Sequence, residues 1–392
     1  MELPVADWYS KQNDVSFAFQ TMPKDLTYVV TGGYGFVGIH IVKMLAERGT
    51  NIREIRVVGR NARNFQPLDV GDKEINIHAM AGDVRDPVRM SEICTDADVV
   101  IHTAAVIDFL GSMSDDIQWD INVNGTENLL QCCVNADVPC FVYTSSMAAI
   151  GPNSRGDPIE NGDENTPYDT SHPLMTYSST KAAAEKAVVR ANGRKTNHGK
   201  TLHTCILRLG GLFGEGEMPL IKHSLDIGID LFAKSQPRVC RKATKSRLTY
   251  TGNVAWAHLL AAQKLLESPE TVGGEVFFVA DDTPVRSESC THNAIFNPCG
   301  IRWEDNLVLP LWLLYFIAFF LKWLSILIKP FYNFVPPLSR AILIFLNTNF
   351  YFSYKKATRL LGYTPLFTWE EARERTAAWF VDWKAKGATF SK

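Results

Sequence analysis

A tyrosine and a lysine four residues apart are the side chains of this sequence best suited to proton transfer. Tyr177 and Lys181 open a run that continues through residues 182–187 with strong helix formers. Because residues four apart share one face of a helix, the lysine ammonium would lie beside the phenol and lower its pKa. We predict that Tyr177 is a general acid/base near neutral pH, with Lys181 as its electrostatic partner. A surface pair on an ordinary helix is the alternative.

A serine pair supplies a candidate for holding a substrate oxygen. Ser145 and Ser146 follow an apolar strand predicted over residues 140–144. Ligands of a doubly wound sheet bind beyond the carboxyl ends of its strands. We therefore predict that Ser146 orients the substrate oxygen while Tyr177 exchanges its proton, with Ser145 as the fallback. A serine turn that only caps the strand is the simpler interpretation.

A glycine-rich turn near the start of the chain predicts a dinucleotide site. It follows the apolar run 28–30 and leads into a helical pattern over 36–48, which is the context such a site requires. Missing side chains let the turn tighten and let backbone amides approach a pyrophosphate, and the helix N-terminus adds a partial positive charge. The predicted cofactor contacts of this turn are Gly32, Gly35, Phe36, Val37 and Gly38.

The end of the second predicted strand bears on the choice of cofactor. An acidic residue there would accept hydrogen bonds from the adenine ribose of NAD, but this chain has Gly59 followed by Arg60. A guanidinium can pair with a 2′-phosphate through two hydrogen bonds. These residues favour NADP(H) modestly, with NAD(H) as the alternative, and a loop of incidental arginines is the other interpretation.

Strands and helices are predicted to alternate along the chain, which indicates a parallel sheet covered on both faces. The predicted fold is therefore α/β, a doubly wound Rossmann-type sheet with a smaller C-terminal substrate lid. A polar segment over 152–173 is predicted to be a loop above the active site. The predicted strands are 26–31, 54–58, 75–79, 98–102, 140–144, 203–208 and 275–279, and the predicted helices are 36–48, 87–94, 117–136, 176–192, 217–230 and 253–267.

The composition suits one large globular domain with an appended piece. The chain has 392 residues, 46% of them hydrophobic, and a net charge of −2, so nothing suggests a nucleic-acid surface. Its 8 cysteines show no metal-ligand spacing, so no metal site is expected, and a reduced, cytosol-facing catalytic domain fits. Residues 1–26 contain no apolar signal core, and no cleavable secretory signal is expected.

A hydrophobic segment over 307–352 stands apart from the rest of the sequence. Its first part offers about 22 largely apolar residues, near the minimum for a bilayer-spanning helix. Three arrangements compete: a spanning helix, an in-plane or re-entrant hairpin, and a buried substrate lid. Because polar sequence at 354–384 must return to the catalytic domain, we favour monotopic insertion. The predicted division of the chain is 1–25 extension, 26–210 dinucleotide-binding core, 211–306 lid with returning core elements, 307–352 membrane-associated segment and 353–392 C-terminal helical region.

Taken together, these motifs resemble the extended short-chain dehydrogenases/reductases, and within them the 3β-hydroxysteroid dehydrogenase/isomerase family, most closely its C27 (bile-acid-pathway) type. The asparagine-valine-alanine segment and the apolar C-terminal region select this branch. The segments that carry the resemblance are 31–38, 82–84, 102–105, 122–126, 143–147, 151–153, 177–181, 191–193, 207–208, 250–258 and 362–366.

The resemblance implies further roles for particular residues. Asp83, with Val84 beside it, is similar to the residue that contacts the adenine amino group. Asn124 is similar to an asparagine that positions the catalytic lysine. Members of the branch generally carry an aspartate where this chain has Gly59. The family resemblance therefore implies NAD, whereas Gly59 and Arg60 themselves favour NADP(H). His102 is expected to be a satisfied core histidine.

The resemblance also implies a function and a location. The expected activity is hydride transfer between a nicotinamide cofactor and the 3β-hydroxyl or 3-keto position of a sterol or steroid, with Δ5→Δ4 isomerisation left open. The alternatives are a decarboxylating sterol-4-carboxylate 3-dehydrogenase, another carbonyl reductase, and a catalytically quiet membrane-associated scaffold. The expected location is the endoplasmic reticulum membrane, with the catalytic domain facing the cytosol. Sterol and membrane lipid are the expected partners, no nucleic acid is expected, and a homodimer is left open.

Overall fold

The computed structural model describes residues 25–62, 74–169, 171–216, 235–332 and 334–386. Nearly all of the predicted N-terminal extension and the whole predicted helix 217–230 lie outside these residues.

A parallel sheet forms the centre of the molecule, in the order β3-β2-β1-β4-β5-β8-β12, with β7 antiparallel at the side of β8. Each of the seven predicted strands corresponds to a strand of this sheet, so the predicted doubly wound fold is confirmed. The strands of the structure are β1 Leu26–Thr31, β2 Ile52–Gly59, β3 Asn76–Ala81, β4 Val99–His102, β5 Cys140–Ser146, β6 Ile159–Gly162, β7 Arg194–Lys195, β8 Thr201–Leu209, β9 Gly211–Phe213, β10 Ser235–Arg238, β11 Leu248–Tyr250, β12 Val276–Val279, β13 Arg302–Leu307 and β14 Phe350–Phe352.

Helices cover both faces of the sheet. The predicted helix 117–136 is interrupted by a π-helical turn, Asp120–Asn124. Short 3₁₀ turns are Met147–Ala149 and Asn297–Cys299. The α-helices in the described part of the chain are α1 Phe36–Arg48, α2 Pro87–Cys94, α3 Asp115–Trp119, α4 Gly125–Asn135, α5 Thr176–Ala191, α6 Thr251–Glu267, α7 Pro269–Val272, α8 Glu288–Phe296, α9 Leu311–Ile328, α10 Arg340–Asn347, α11 Lys355–Leu361 and α12 Trp369–Ala385.

Two apolar clusters lock these helices onto the sheet. One cluster joins α1 and α6 to one face, through residues such as Leu45 and Leu259. The other joins α2, α4 and α5 to the opposite face, through residues such as Leu130 and Val188. Because strand side chains alternate between faces, the two clusters clamp the strands from both sides. The carboxyl ends of the strands are thereby held in fixed relative positions.

The segment predicted as a loop over the active site is placed differently. Residues 159–162 form β6, which pairs with β14 from the far C-terminal part of the chain. Pro152, Asn153, Asp169 and Pro173 line a cavity of about 240 Å³. No described residue of 152–173 lines the larger cleft at the carboxyl ends of the central strands. The segment is largely loop, as predicted, but its position over the active site was predicted wrongly. The partner of β6 lies far away in sequence, where no local pattern reveals it.

The apolar helix α9 rests on the protein along one narrow stripe. Leu314 and Ala318 are buried against Leu343 of α10, but only 11% of the helix is buried, at a mean hydropathy of 2.1. By length and composition this helix could cross a membrane. The chain then returns, because α12 buries Phe380 in the main core. The exposed apolar side chains of α9 are Trp312, Phe316, Phe319, Phe320, Trp323, Ile326 and Leu327.

Candidate active site

A cleft of about 650 Å³ opens at the carboxyl ends of β1, β2, β4 and β5. The strand order reverses between β1 and β4, and this reversal is where doubly wound sheets bind ligands. The glycine turn lines one part of the cleft and Ser146, Tyr177 and Lys181 line another. The fold thus brings together residues that lie more than a hundred positions apart in sequence.

The glycine turn is built so that its backbone, rather than side chains, faces the cleft. Gly32 has a φ of +69°, and a Cβ there would lie 2.7 Å from the backbone nitrogen of Ala104. A Cβ on Gly38 would lie 2.2 Å from the Gly32 carbonyl oxygen, so only glycine lets α1 pack this closely on the turn. Gly35 is the N-cap of α1 and has no side-chain cap. This open helix N-terminus fits the phosphates of a dinucleotide.

Tyr177 and Lys181 stand one turn apart at the start of α5, as predicted from their spacing. Both side chains are almost fully buried, at 5% and 3% exposure. The Lys181 ammonium donates hydrogen bonds to the Tyr143 hydroxyl at 3.2 Å and to the Thr144 carbonyl oxygen at 2.8 Å. It lies 6.0 Å from the centre of the Tyr177 ring. The lysine is therefore anchored to β5 and faces the phenol from there.

Burial sets the pKa values of both groups. It raises the pKa of Tyr177 to about 12, against the opposing effect of a hydrogen bond from Ser146. It lowers the pKa of Lys181 to about 7, against the opposing effect of the Glu185 carboxylate. The predicted lowering of the Tyr177 pKa is wrong in direction, because desolvation of the phenolate outweighs the distant ammonium. Tyr177 is accordingly a protonated phenol at neutral pH, ready to donate its proton.

The two serines lie in different environments. Ser146 ends β5, accepts a hydrogen bond from the Ala148 backbone nitrogen at 3.1 Å, and acts on Tyr177 through its hydroxyl. Ser145 is buried, and its hydroxyl has no hydrogen-bond partner in the structure. Both line the cleft. The contact with Tyr177 favours Ser146 for orienting a substrate oxygen.

The other end of the cleft is shaped by Tyr34, which sequence reasoning missed. Its ring covers Gly59 so closely that a Cβ there would lie 2.3 Å from the ring. Its hydroxyl donates hydrogen bonds to the carbonyl oxygens of Val57 at 2.9 Å and Met80 at 3.2 Å. The exposed Arg60 lines the cleft beside this ring. No local signal reveals this packing, because the glycine turn and the second strand meet only in the folded chain.

Asp83 and Val84 line the same end of the cleft. The guanidinium of Arg85 donates to both Asp83 carboxylate oxygens, at 2.7 and 3.0 Å. These hydrogen bonds lower the pKa of Asp83, and Arg60 adds to the effect. The carboxylate therefore remains charged and fixed in direction, with Val84 buried beside it.

Sequence comparison identifies the family. The family model described as "3-beta hydroxysteroid dehydrogenase/isomerase family" matches residues 29–311. This chain belongs to that family. It is 39% identical over 361 residues to the mouse (Mus musculus) protein named 3 beta-hydroxysteroid dehydrogenase type 7, covering 90% of this chain and 95% of the relative. The human (Homo sapiens) protein of that name is 38% identical over 359 residues, with the same shares of each chain covered.

Solved structures support the fold of this 3-beta hydroxysteroid dehydrogenase/isomerase family member. DesIV, a dTDP-glucose 4,6-dehydratase from Streptomyces venezuelae solved with NAD and TYD, superposes with a TM-score of 0.67 at 19% identity, covering 92% of this chain and 98% of that one. A UDP-galactose 4-epimerase gives a TM-score of 0.63 at 20% identity, covering 91% and 99%. At such identities the likeness shows the extended Rossmann fold alone.

The structure does not place Asn124 where it could position Lys181, the role that the family resemblance implies. Asn124 is exposed on the π-helical turn, where its amide donates to Asp120 at 3.4 Å, and it does not line the cleft. Asn122 is buried instead and donates to the Thr180 hydroxyl at 3.1 Å and to the Val106 carbonyl oxygen at 3.0 Å. The wider π-helical turn changes which residues face α5. Asn122 is therefore the asparagine that contacts α5.

Two other polar residues of the sequence have structural roles. His102 is buried between the hydroxyls of Thr31 and Thr126, at 2.7 and 3.0 Å, and burial lowers its pKa to about 3. The expectation of a satisfied core histidine is confirmed. Arg208 is buried in an ion pair with Glu185 at 2.8 Å. This pair ties β8 to α5 beneath the cleft.

Proposed function

We propose that this protein is an NAD(P)-dependent 3β-hydroxysteroid dehydrogenase that interconverts a 3β-hydroxyl and a 3-ketone on a sterol or steroid. Family membership supports an oxidoreductase of this type. The observation that carries the proposal is the meeting of Ser146, Tyr177 and Lys181 with the glycine turn in one cleft. These groups can exchange a proton with the oxygen on one substrate carbon. We therefore propose the dehydrogenase step alone, without isomerisation.

The chain's own residues handle the proton. When bound, a nicotinamide supplies the hydride donor or acceptor. In reduction, Ser146 donates a hydrogen bond to the ketone oxygen and Tyr177, whose high pKa keeps it protonated, delivers the proton to that oxygen. In oxidation, Tyr177 takes the hydroxyl proton back, and the charge of Lys181 stabilises the phenolate that must form first.

The surroundings of the catalytic residues fit a sterol better than a polar substrate. Apolar side chains from separate segments line the cleft near Tyr177, including Ile107, Phe109, Leu212 and Phe345. A rigid polycyclic hydrocarbon gains free energy by burial against such surfaces, in proportion to the apolar area removed from water. Apart from the buried Lys181, the charged side chains that line the cleft, Arg60 and Asp83, lie at its nucleotide end.

The nucleotide end supports a preference for NADP(H). Tyr34 fills the space above Gly59, so this position cannot hold the carboxylate that would accept hydrogen bonds from the ribose of NAD. Arg60 lines the cleft at the same place and offers a guanidinium to a 2′-phosphate. The nearby Asp83 is already engaged by Arg85, which limits its repulsion of that phosphate.

Helix α9 supports in-plane insertion into a membrane, which we propose to be that of the endoplasmic reticulum. Lys322 and Ser325 follow the buried Ala318 at spacings of four and seven, so they lie on the same side of the helix as Ala318, where Lys322 is exposed. The opposite face is wholly apolar and exposed. A single crossing of the bilayer would leave the chain after α9 on the far side, whereas α12 buries Phe380 in the main core. Insertion from one side lets α10 to α12 return to the catalytic domain.

The decisive experiment compares Tyr177→Phe with the wild type. Activity with a panel of 3β-hydroxysterols and both cofactors is measured on membranes, and nucleotide binding by fluorescence. The variant should bind nucleotide normally and lose activity by about 10²–10⁴-fold, the usual size of a general acid/base effect. Tyr351→Phe, a tyrosine outside the cleft, is the matched control.

Two outcomes would overturn these assignments. Near-normal turnover in Tyr177→Phe would remove the tyrosine from the chemistry, and a wild type that binds nucleotide but turns over no sterol would favour a scaffold. Ser146→Ala and Ser145→Ala, measured separately, rank the two serines. The larger loss of kcat is expected for Ser146.

A further inference from the structure

Helix α10 separates the exposed apolar helix α9 from the catalytic cleft. Leu343 is fully buried against Leu314 and Ala318 of α9. Phe345 lies two residues further on, which places it on the opposite side of the helix, and it lines the cleft. One short helix therefore contacts the proposed membrane helix with one face and the reaction site with the other.

A chain of aromatic rings continues from α10 to the catalytic tyrosine. The ring centres of Phe345 and Phe109 are 5.7 Å apart, and those of Phe109 and Tyr177 are 6.1 Å apart. Phe109 and Phe345 are each only half-buried. An apolar molecule that passes between these two rings arrives directly at the proton donor.

The backbone that carries each ring is held by hydrogen bonds, while the side chains are half-buried. The Asp108 carboxylate accepts hydrogen bonds from the backbone nitrogens of residues 110 to 113, at 2.7 to 3.1 Å. Ser339 caps α10 and donates its hydroxyl to the Phe109 carbonyl oxygen at 3.2 Å. At the other end of α10, Asn347 donates to the Val239 carbonyl oxygen. Rotation of the Phe109 and Phe345 side chains is thus enough to change the distance between the two rings.

We propose that Phe109 and Phe345 form an apolar gate through which the sterol passes from the bilayer into the cleft along α10, without crossing water. The proposal rests on the proposed sterol dehydrogenase function. Such a gate explains why the apolar helix α9 lies close to the catalytic cleft and not on a distant part of the protein. A sterol is almost insoluble in water because its apolar surface is costly to hydrate, so a direct lipid route removes the slowest stage of its transfer.

The test changes the gate and varies the order of addition. The sterol substrate is a fixed mole fraction of a 3β-hydroxysterol in vesicles of neutral phospholipid. In one order, enzyme and sterol are equilibrated before nucleotide is added. In the other, nucleotide-loaded enzyme is mixed with sterol vesicles. Single-turnover rates are recorded for the wild type, Phe345→Trp and Phe345→Ala, with Phe316→Ala on the exposed face of α9 as the matched control.

The larger ring of Phe345→Trp should slow the reaction about tenfold more when sterol is added last than when sterol is added first, the size expected from crowding an apolar passage. With sterol added last, Phe345→Ala should react at least as fast as the wild type. Phe316→Ala should react at the wild-type rate. Equal slowing of Phe345→Trp in both orders would show that Phe345 positions the substrate, and would overturn the gate. Unchanged rates in both Phe345 variants would overturn it as well. Absence of sterol turnover in the wild type would instead overturn the proposed function.

Discussion

Replacing Lys181 with methionine should lower activity by about 10²-fold or more and stabilise the fold. The side chain is 3% exposed, and burial lowers its pKa from 10.5 to about 7. At 1.36 kcal/mol per pH unit, this difference corresponds to about 5 kcal/mol spent on burying the ammonium, as an upper bound. The hydrogen bonds to Tyr143 and Thr144 are lost in Lys181→Met, at about 1 kcal/mol each. The variant should therefore be about 2–3 kcal/mol more stable at pH 7.

The lowered pKa of Lys181 also determines how the stability of the wild type changes with pH. The folded pKa of Lys181 lies below the unfolded value, so between about pH 7 and about pH 10.5 the unfolded chain binds more protons than the folded one. Wild-type stability should therefore rise with pH across this window, relative to Lys181→Met. The advantage of the variant should disappear by about pH 9.5, because about 1.4 kcal/mol of the cost of keeping Lys181 neutral in the fold then remains, less than the two hydrogen bonds that the variant lacks contribute.

Thermal unfolding of the detergent-solubilised protein measures both effects. Lys181→Met should melt a few degrees higher than the wild type at about pH 7 and no higher at about pH 9.5, while its turnover falls by about 10²-fold or more. Lys186→Met, on the same helix but exposed, controls for loss of a charge. A variant less stable than the wild type at neutral pH, or a difference independent of pH, would refute the reasoning that burial of this ammonium opposes folding.

Two further expectations concern the cofactor and the membrane. Wild-type kcat/KM should be about tenfold higher or more with NADP(H) than with NAD(H), since one good charge-assisted hydrogen bond contributes about 1.5–3 kcal/mol, and Arg60→Ala should remove the difference; a wild-type preference for NAD(H) would show that Arg60 does not select the cofactor. The full-length protein should sediment with microsomes and resist a high-salt wash, because apolar burial rather than charge holds α9 in the bilayer; its recovery in the supernatant without detergent would contradict insertion.

The local sequence was sufficient for the parts of the site that depend on short-range geometry. The glycine turn and the spacing of Tyr177 and Lys181 specify a strand-turn-helix and a helix face, and both occur where they were predicted. The seven strands of the main sheet were also predictable, because buried parallel strands are continuous apolar runs. Family resemblance extended this to the extended Rossmann fold and to the family itself.

Local patterns could not reveal features made by distant segments. Tyr34 covers Gly59 only because the glycine turn packs on β2, and Phe345 reaches the cleft only because α10 folds back across it. The π-helical turn exposes Asn124 and buries Asn122, a shift of phase that a regular helical pattern cannot predict. Contacts between residues far apart in sequence depend on the register of the whole fold, which short-range spacing does not encode.

The chemistry of the proton donor illustrates the same division. The amino-acid sequence by itself predicted that a tyrosine, a lysine and a serine would meet beside the glycine turn, and the structure places all of them in one cleft. Only the tertiary structure decided that Tyr177 and Lys181 are almost completely buried. Burial then moved both pKa values in the direction that disfavours charge, since desolvation depends on every segment packed around a group and not on its neighbours along the chain.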